Sequence, residues 1–80
     1  LQTGNNNTGT VNQQSGATSN TATVGQNGNG NAGTVSQESG DTNIGTITQV
    51  GNSNTATVSQ RFGATSNTAT VGQNGNGNSS

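Results

Sequence analysis

Residues 16–31 read GATSNTATVGQNGNGN, and residues 63–78 read the same sixteen letters, 47 positions further on. Inside that long period lies a shorter unit: an Asn, five residues, then a Gln. It occurs as Asn7–Gln13, Asn20–Gln26, Asn31–Gln37, Asn43–Gln49, Asn54–Gln60 and Asn67–Gln73, and Asn78 opens another. The connections alternate. Four residues follow Gln26, Gln49 and Gln73 before the next Asn, and six, five and six follow Gln13, Gln37 and Gln60. Two units therefore make one repeat of 23 or 24 residues, and 47 is two repeats. Glycines keep the same step, with Gly4, Gly28, Gly51 and Gly75 in the short connections and Gly16, Gly40 and Gly63 in the long ones. A fixed period of this length is the mark of a stacked-repeat architecture.

Each unit alternates with period two. Asn20, Ala22, Val24 and Gln26 share one face, and Thr21, Thr23 and Gly25 the other. Alternation with Val and Thr predicts strands. The third residue of the first face is Val or Ile in every unit and the second is Ala or Gly, so that face points inward. The expected thin core is Val11, Ala22, Val24, Val35, Ile47, Ala56, Val58, Ala69 and Val71, between ladders of Asn7, Asn20, Asn31, Asn43, Asn54, Asn67 and Asn78 and of Gln13, Gln26, Gln37, Gln49, Gln60 and Gln73. Seven residues span about 23 Å at ~3.3 Å each, and Gly-rich arcs can reverse the chain between two sheets. The expected fold is all-β: a β-solenoid with two strands per coil and two facing, parallel, in-register sheets, stacking cross-β fashion into fibrils. One sheet holds the units opening at Asn7, Asn31 and Asn54, the other those opening at Asn20, Asn43 and Asn67.

The chain reads as a single array over 1–80. Residues 1–6 form the tail of a preceding unit, strand units occupy 7–13, 20–26, 31–37, 43–49, 54–60 and 67–73, and 78–80 begin a further unit. Starting and stopping in mid-pattern, it is expected to be an excerpt of a longer chain.

Composition narrows the function. Asn, Thr, Gln, Ser and Gly supply 61 of the 80 residues, 20% are apolar, and the charged residues are Glu38, Asp41 and Arg61. A globular domain is ordinarily about 45–50% apolar. With neither His nor Cys, the chain offers no His-based triad, thiol nucleophile or usual zinc set. The expectation is a non-enzyme without cofactor or metal. One Arg and a net charge of −1 leave no footprint for nucleic acid, and no stretch approaches the ~20 apolar residues of a membrane helix. Apolar burial this sparse falls well short of the entropy of ordering the chain. Backbone ladders and aligned amides must supply the remainder, and they do so best in a long stack, where each coil is paired on both sides. No Pro or Lys blunts the sheet edges, so end-to-end self-association is expected.

The pattern resembles the curlin repeat: Ser or Asn, five residues, Gln-x-Gly-x-Gly-Asn, then x-Ala-x-x-x-Gln. Asn20 through Gln26-Asn27-Gly28-Asn29-Gly30-Asn31 to Gln37 matches it, Gln73-Asn74-Gly75-Asn76-Gly77-Asn78 repeats the central hexapeptide, and Asn54-Thr55-Ala56-Thr57-Val58-Ser59-Gln60 matches the second half. Gly33 stands where the family has Ala, and Ser53 and Asn6 stand in for the second Gly of two arcs. The resemblance implies a secreted subunit of a curli-like functional amyloid fibre at the cell surface, serving biofilm matrix and surface adhesion. It also implies a nucleator subunit and an outer-membrane secretion apparatus as partners.

Other features carry less. Gly28-Asn29-Gly30-Asn31-Ala32-Gly33 fits G-x-G-x-x-G, but a dinucleotide site needs a helix after the glycines, and here a strand unit follows. Gln14, Glu38 and Arg61 occupy one arc position, read as exposed solubilising charge around a polar residue. Val50 and Phe62 are expected as exposed arc apolars. Outward Thr-x-Thr pairs (Thr8/Thr10, Thr21/Thr23, Thr55/Thr57, Thr68/Thr70) keep an alternative open, an ice-binding β-solenoid, although Ala32 and Ile44 interrupt the rows.

Overall fold

The computed structural model describes residues 1–14, 19–61 and 65–80. Among these residues seven strands follow one another: β1 (Gln2–Thr3), β2 (Thr8–Gln14), β3 (Thr21–Asn29), β4 (Ala32–Glu38), β5 (Ile44–Asn52), β6 (Thr55–Gln60) and β7 (Thr68–Asn74). They form two sheets, ordered β1-β3-β5-β7 and β2-β4-β6, with every pairing parallel. Val24 pairs with Ile47 and Ile47 with Val71; in the other sheet Val11 pairs with Val35 and Val35 with Val58. The fold is thus the two-strand-per-coil solenoid that the period implies, and like residues stack because the repeat length equals one turn.

The strands are offset from the Asn-to-Gln units. β2 to β7 each begin one residue after their Asn, and β3 and β5 run past Gln26 and Gln49 to Asn29 and Asn52. The offset has a backbone cause. In all seven units the residue before the Asn is left-handed: Asn6, Ser19, Gly30, Thr42, Ser53, Ser66 and Gly77 have φ between 54° and 69°. The chain turns its corner there, and pairing starts beyond it. Pairing persists into the short arcs because Gly28, in register with Gly51, keeps the coils parallel through the bend.

Val24, Val35, Ile47, Ala56 and Val58 form the buried core, with Ala22, Ala69 and Val71 packed against it. Small partners set the sheet spacing: a Cβ on Gly33 would sit 2.9 Å from Val24 Cγ1, and one on Gly45 2.8 Å from Val35 Cγ1. Val11 departs from the expected core. It is 49% exposed, whereas Val35 in the same column is fully buried. β2 is an outer strand, and opposite it β1 covers only Gln2–Thr3, which leaves a notch lined by Leu1, Gln2, Gly9, Val11, Ala22 and Val24. Ser36, on an outward position, is nevertheless buried and donates to Glu38 Oε1 at 3.2 Å. Val50 is exposed. Gly16, Gly63 and Phe62 lie outside the described residues.

Candidate functional site

The buried polar side chains sit between the sheets, at the two ends of the apolar strip. Gln26, Asn31, Gln37, Asn43, Gln49, Asn54, Gln60 and Gln73 are all buried. Alternation places them: each Asn or Gln is an even number of positions from an inward Val or Ile. Burying amides away from water is costly unless each is hydrogen-bonded. Among the described residues no buried side-chain nitrogen or oxygen lacks a partner.

Glutamines form two axial rows. In the first, Gln2 Nε2 donates to Gln26 Oε1, Gln26 Nε2 to Gln49 Oε1, and Gln49 Nε2 to Gln73 Oε1, each at 2.8 Å. In the second, Gln13 Nε2 donates to Gln37 Oε1 at 2.7 Å and Gln37 Nε2 to Gln60 Oε1 at 2.8 Å. The donor side faces the later coil at every step, so the amide dipoles align and polarise one another. The second amide hydrogen crosses to the opposite sheet. Gln26 Nε2 reaches Thr8 O at 2.9 Å, Gln37 Nε2 Thr21 O at 3.1 Å, Gln49 Nε2 Ala32 O at 3.0 Å and Gln73 Nε2 Thr55 O at 3.0 Å. One amide therefore joins coil to coil and sheet to sheet.

Asparagines do something different from an amide-to-amide ladder. Their Oδ1 atoms accept the backbone N–H of the next Asn in the column. Asn31 N donates to Asn7 Oδ1, Asn54 N to Asn31 Oδ1 and Asn78 N to Asn54 Oδ1, at 2.9–3.0 Å. In the other sheet Asn43 N donates to Asn20 Oδ1 at 2.7 Å and Asn67 N to Asn43 Oδ1 at 3.0 Å. Their Nδ2 groups reach the next coil's arc: Asn7 to Gly28 O, Asn31 to Gly51 O, Asn54 to Gly75 O and Asn20 to Gly40 O, at 2.8–2.9 Å. These side chains fill the gap left in the backbone ladder by the left-handed corner.

The short-arc glycines stack closely. Gly4, Gly28, Gly51 and Gly75 have φ between 105° and 125°, and a Cβ on Gly28 would land on the Gly51 carbonyl oxygen. Only glycine reaches that backbone conformation and leaves room for the neighbouring coil. Gly40 in a long arc is buried.

A further row escaped the unit pattern. Asn5 N donates to Asn29 Oδ1, Asn29 N to Asn52 Oδ1 and Asn52 N to Asn76 Oδ1, at 3.0–3.1 Å. Its signal was present, since these residues sit three positions past Gln2, Gln26, Gln49 and Gln73. Exposure differs with position in the stack: Gln13, Asn67 and Asn78 are exposed, and Asn7 and Asn20 half-buried, because one side of each lacks a covering coil. The G-x-G-x-x-G stretch from Gly28 to Gly33 is a short arc followed by β4, not a helix. Among the described residues no cluster of three His, Cys, Asp or Glu could hold a metal ion.

Two parallel sheets laced by internal Gln and Asn rows define a polar-cored β-solenoid, a class in which each coil is bound to the next by the same contacts. The model of the curlin associated repeat family matches residues 17–44 and 40–66, more than half of the chain. The chain belongs to the curlin associated repeat family, a family of structural amyloid subunits. No curated protein and no solved structure matches it.

Proposed function

We propose that this chain is a self-assembling subunit of an extracellular curli-like amyloid fibre, contributing to biofilm matrix and surface adhesion. Its activity is the end-to-end addition of coils. The observation that carries this reading is the uniform Gln2–Gln26–Gln49–Gln73 row, with the same 2.8 Å bond at each step. A coil supplied by another copy would meet the same donors and acceptors as a coil supplied by the chain itself. Parallel, in-register stacking with identical side chains facing each other is the geometry of cross-β assembly. Family membership supports the same conclusion, and it adds a nucleating subunit and an outer-membrane secretion apparatus as proposed partners.

Electron microscopy of purified chain after incubation in dilute buffer tests the proposal. Unbranched filaments with a layer line near ~4.8 Å along the axis are expected; a chain that stays a folded monomer at high concentration overturns it. The ice-binding alternative gains nothing from the structure. Two of the four outward Thr rows are broken, by Ile44 between Thr21 and Thr68 and by Ala32 between Thr8 and Thr55, and only Thr10-Thr34-Thr57 and Thr23-Thr46-Thr70 run through.

A further inference from the structure

The short arcs hold four Asn-Gly sequences: Asn27-Gly28, Asn29-Gly30, Asn74-Gly75 and Asn76-Gly77. Asn-Gly is the dipeptide most open to spontaneous deamidation. The glycine backbone nitrogen attacks the Asn side-chain carbon Cγ, the N–Cγ bond forms, and the side-chain nitrogen leaves as ammonia carrying the displaced proton. Water then opens the resulting succinimide at either carbonyl. One opening gives Asp; the other gives isoaspartate, which carries the main chain through an extra methylene. Glycine is the fastest following residue because no Cβ hinders the approach.

At two of the four, the attacking nitrogen and the side-chain carbonyl are both held by hydrogen bonds. Gly30 N donates to Asn5 O at 2.9 Å while Asn29 Oδ1 accepts from Asn5 N at 3.0 Å. One coil pair later the arrangement recurs: Gly77 N donates to Asn52 O at 2.9 Å and Asn76 Oδ1 accepts from Asn52 N at 3.0 Å. Asn29-Gly30 and Asn76-Gly77 thus each clamp both backbone groups of a single Asn in the preceding coil. The nitrogen that would attack points away from its own Cγ, toward a neighbouring carbonyl. Gly75 N is held in the same way by Val50 O at 2.9 Å. Asn52-Ser53 supplies a built-in comparator. It makes the same clamp on Asn29, through Ser53 N at 2.9 Å and Asn52 Oδ1 at 3.1 Å, but lacks the reactive glycine.

We propose that Asn29-Gly30 and Asn76-Gly77 are deamidation sites gated by coil stacking: protected while clamped, reactive when the arc is open, and damaging once isoaspartate forms. The damage follows from the geometry of the clamp. Isoaspartate puts an extra methylene into the main chain ahead of Gly30 N or Gly77 N, so the N–H that meets Asn5 O or Asn52 O and the oxygen that accepts from Asn5 N or Asn52 N can no longer keep their present spacing. Conversion to plain Asp is tolerated, because a carboxylate oxygen still accepts the Asn5 or Asn52 N–H.

The clamp lies within one chain, so the test does not depend on polymerisation. The full chain is aged in mildly alkaline buffer, folded and in concentrated urea, and peptide mapping follows isoaspartate at each site. Protection of Asn29 and Asn76 in the folded chain by roughly tenfold or more is expected, because reaction then requires local opening. Asn52 should change little in either solvent. Equal rates in the two solvents overturn the gating. Chain aged in urea is then returned to buffer beside an Asn29→Asp/Asn76→Asp double variant. Recovery of the β-sheet circular dichroism signal by the variant but not by the isoaspartyl chain is expected, and full recovery by the isoaspartyl chain overturns the claim of damage.

Discussion

Gln26 Nε2 lies 2.8 Å from Gln49 Oε1, and the same nitrogen lies 2.9 Å from Thr8 O on the facing sheet. Both residues are buried. The contact couples axial stacking to sheet pairing, so neither can be lost alone.

Replacing Gln49 by Ala strands the Gln26 donor and the Gln73 and Ala32 acceptors in a dry interior. Each buried orphan costs about 1–3 kcal/mol, so the Gln49→Ala chain should lose most of its β-sheet signal and its filament growth. Gln13→Ala, at an exposed position, removes one bond, to Gln37 Oε1, where Gln49→Ala removes three, and should cost clearly less. Urea titration by circular dichroism, together with filament growth curves, checks both. Unchanged growth of Gln49→Ala would remove the Gln rows from the mechanism.

Gly51→Ala should abolish coil stacking at the short arc. Its φ is 119°, and a Cβ there would collide with the Gly75 carbonyl. Gly72→Ala is the matched control: it lies in β7, a new Cβ would meet nothing within 4 Å, and its φ is not positive. Strand Ala in place of Gly regains backbone entropy of about 0.5–1 kcal/mol. The two variants should therefore move the urea midpoint in opposite directions.

Corner residues offer stabilisation. Thr42 is β-branched at φ 58°, a conformation that costs L-residues ~1–2 kcal/mol. Thr42→Asn keeps a polar side chain that tolerates the left-handed region and should stabilise the fold by about 1 kcal/mol. Thermal melting in buffer reads the shift; a lower melting temperature would count against corner strain.

Ile47→Ala should cost ~2–5 kcal/mol, the usual range for a buried aliphatic cut to Ala. Val11→Ala, half exposed on an outer strand, should cost much less. Outward Thr21→Ser and Thr68→Ser should fall within about ±0.5 kcal/mol and leave filament elongation near the parent rate. Equal losses at Ile47 and Val11 would mean that an inner strand and an outer strand are packed alike.

Most of the architecture is legible in the sequence because spacing and register are the same quantity here. A 23- or 24-residue repeat sets Val24 opposite Ile47 and Gln26 opposite Gln49 once the chain closes one turn. Period-two alternation does the rest, assigning Val35 and Gln37 to the inside and Thr34 to the outside. Family membership was legible for the same reason, since the Gln-x-Gly-x-Gly-Asn spacing is itself the coil geometry.

What the sequence by itself determined is therefore the periodic part: two parallel sheets, an inward apolar strip, and amides at set positions along it. The tertiary structure alone decided what each amide does. Gln reaches side chain to side chain along the axis, whereas the shorter Asn can reach only backbone, and so it completes the ladder at the left-handed corners. It also decided which equivalent positions are dry, leaving Val11 exposed and Val35 buried, because burial depends on a covering coil and not on the residue. The clamp of Asn29-Gly30 on Asn5 belongs to the same class: composition names the groups, but only stacking brings a donor and an acceptor from one coil against both backbone atoms of another.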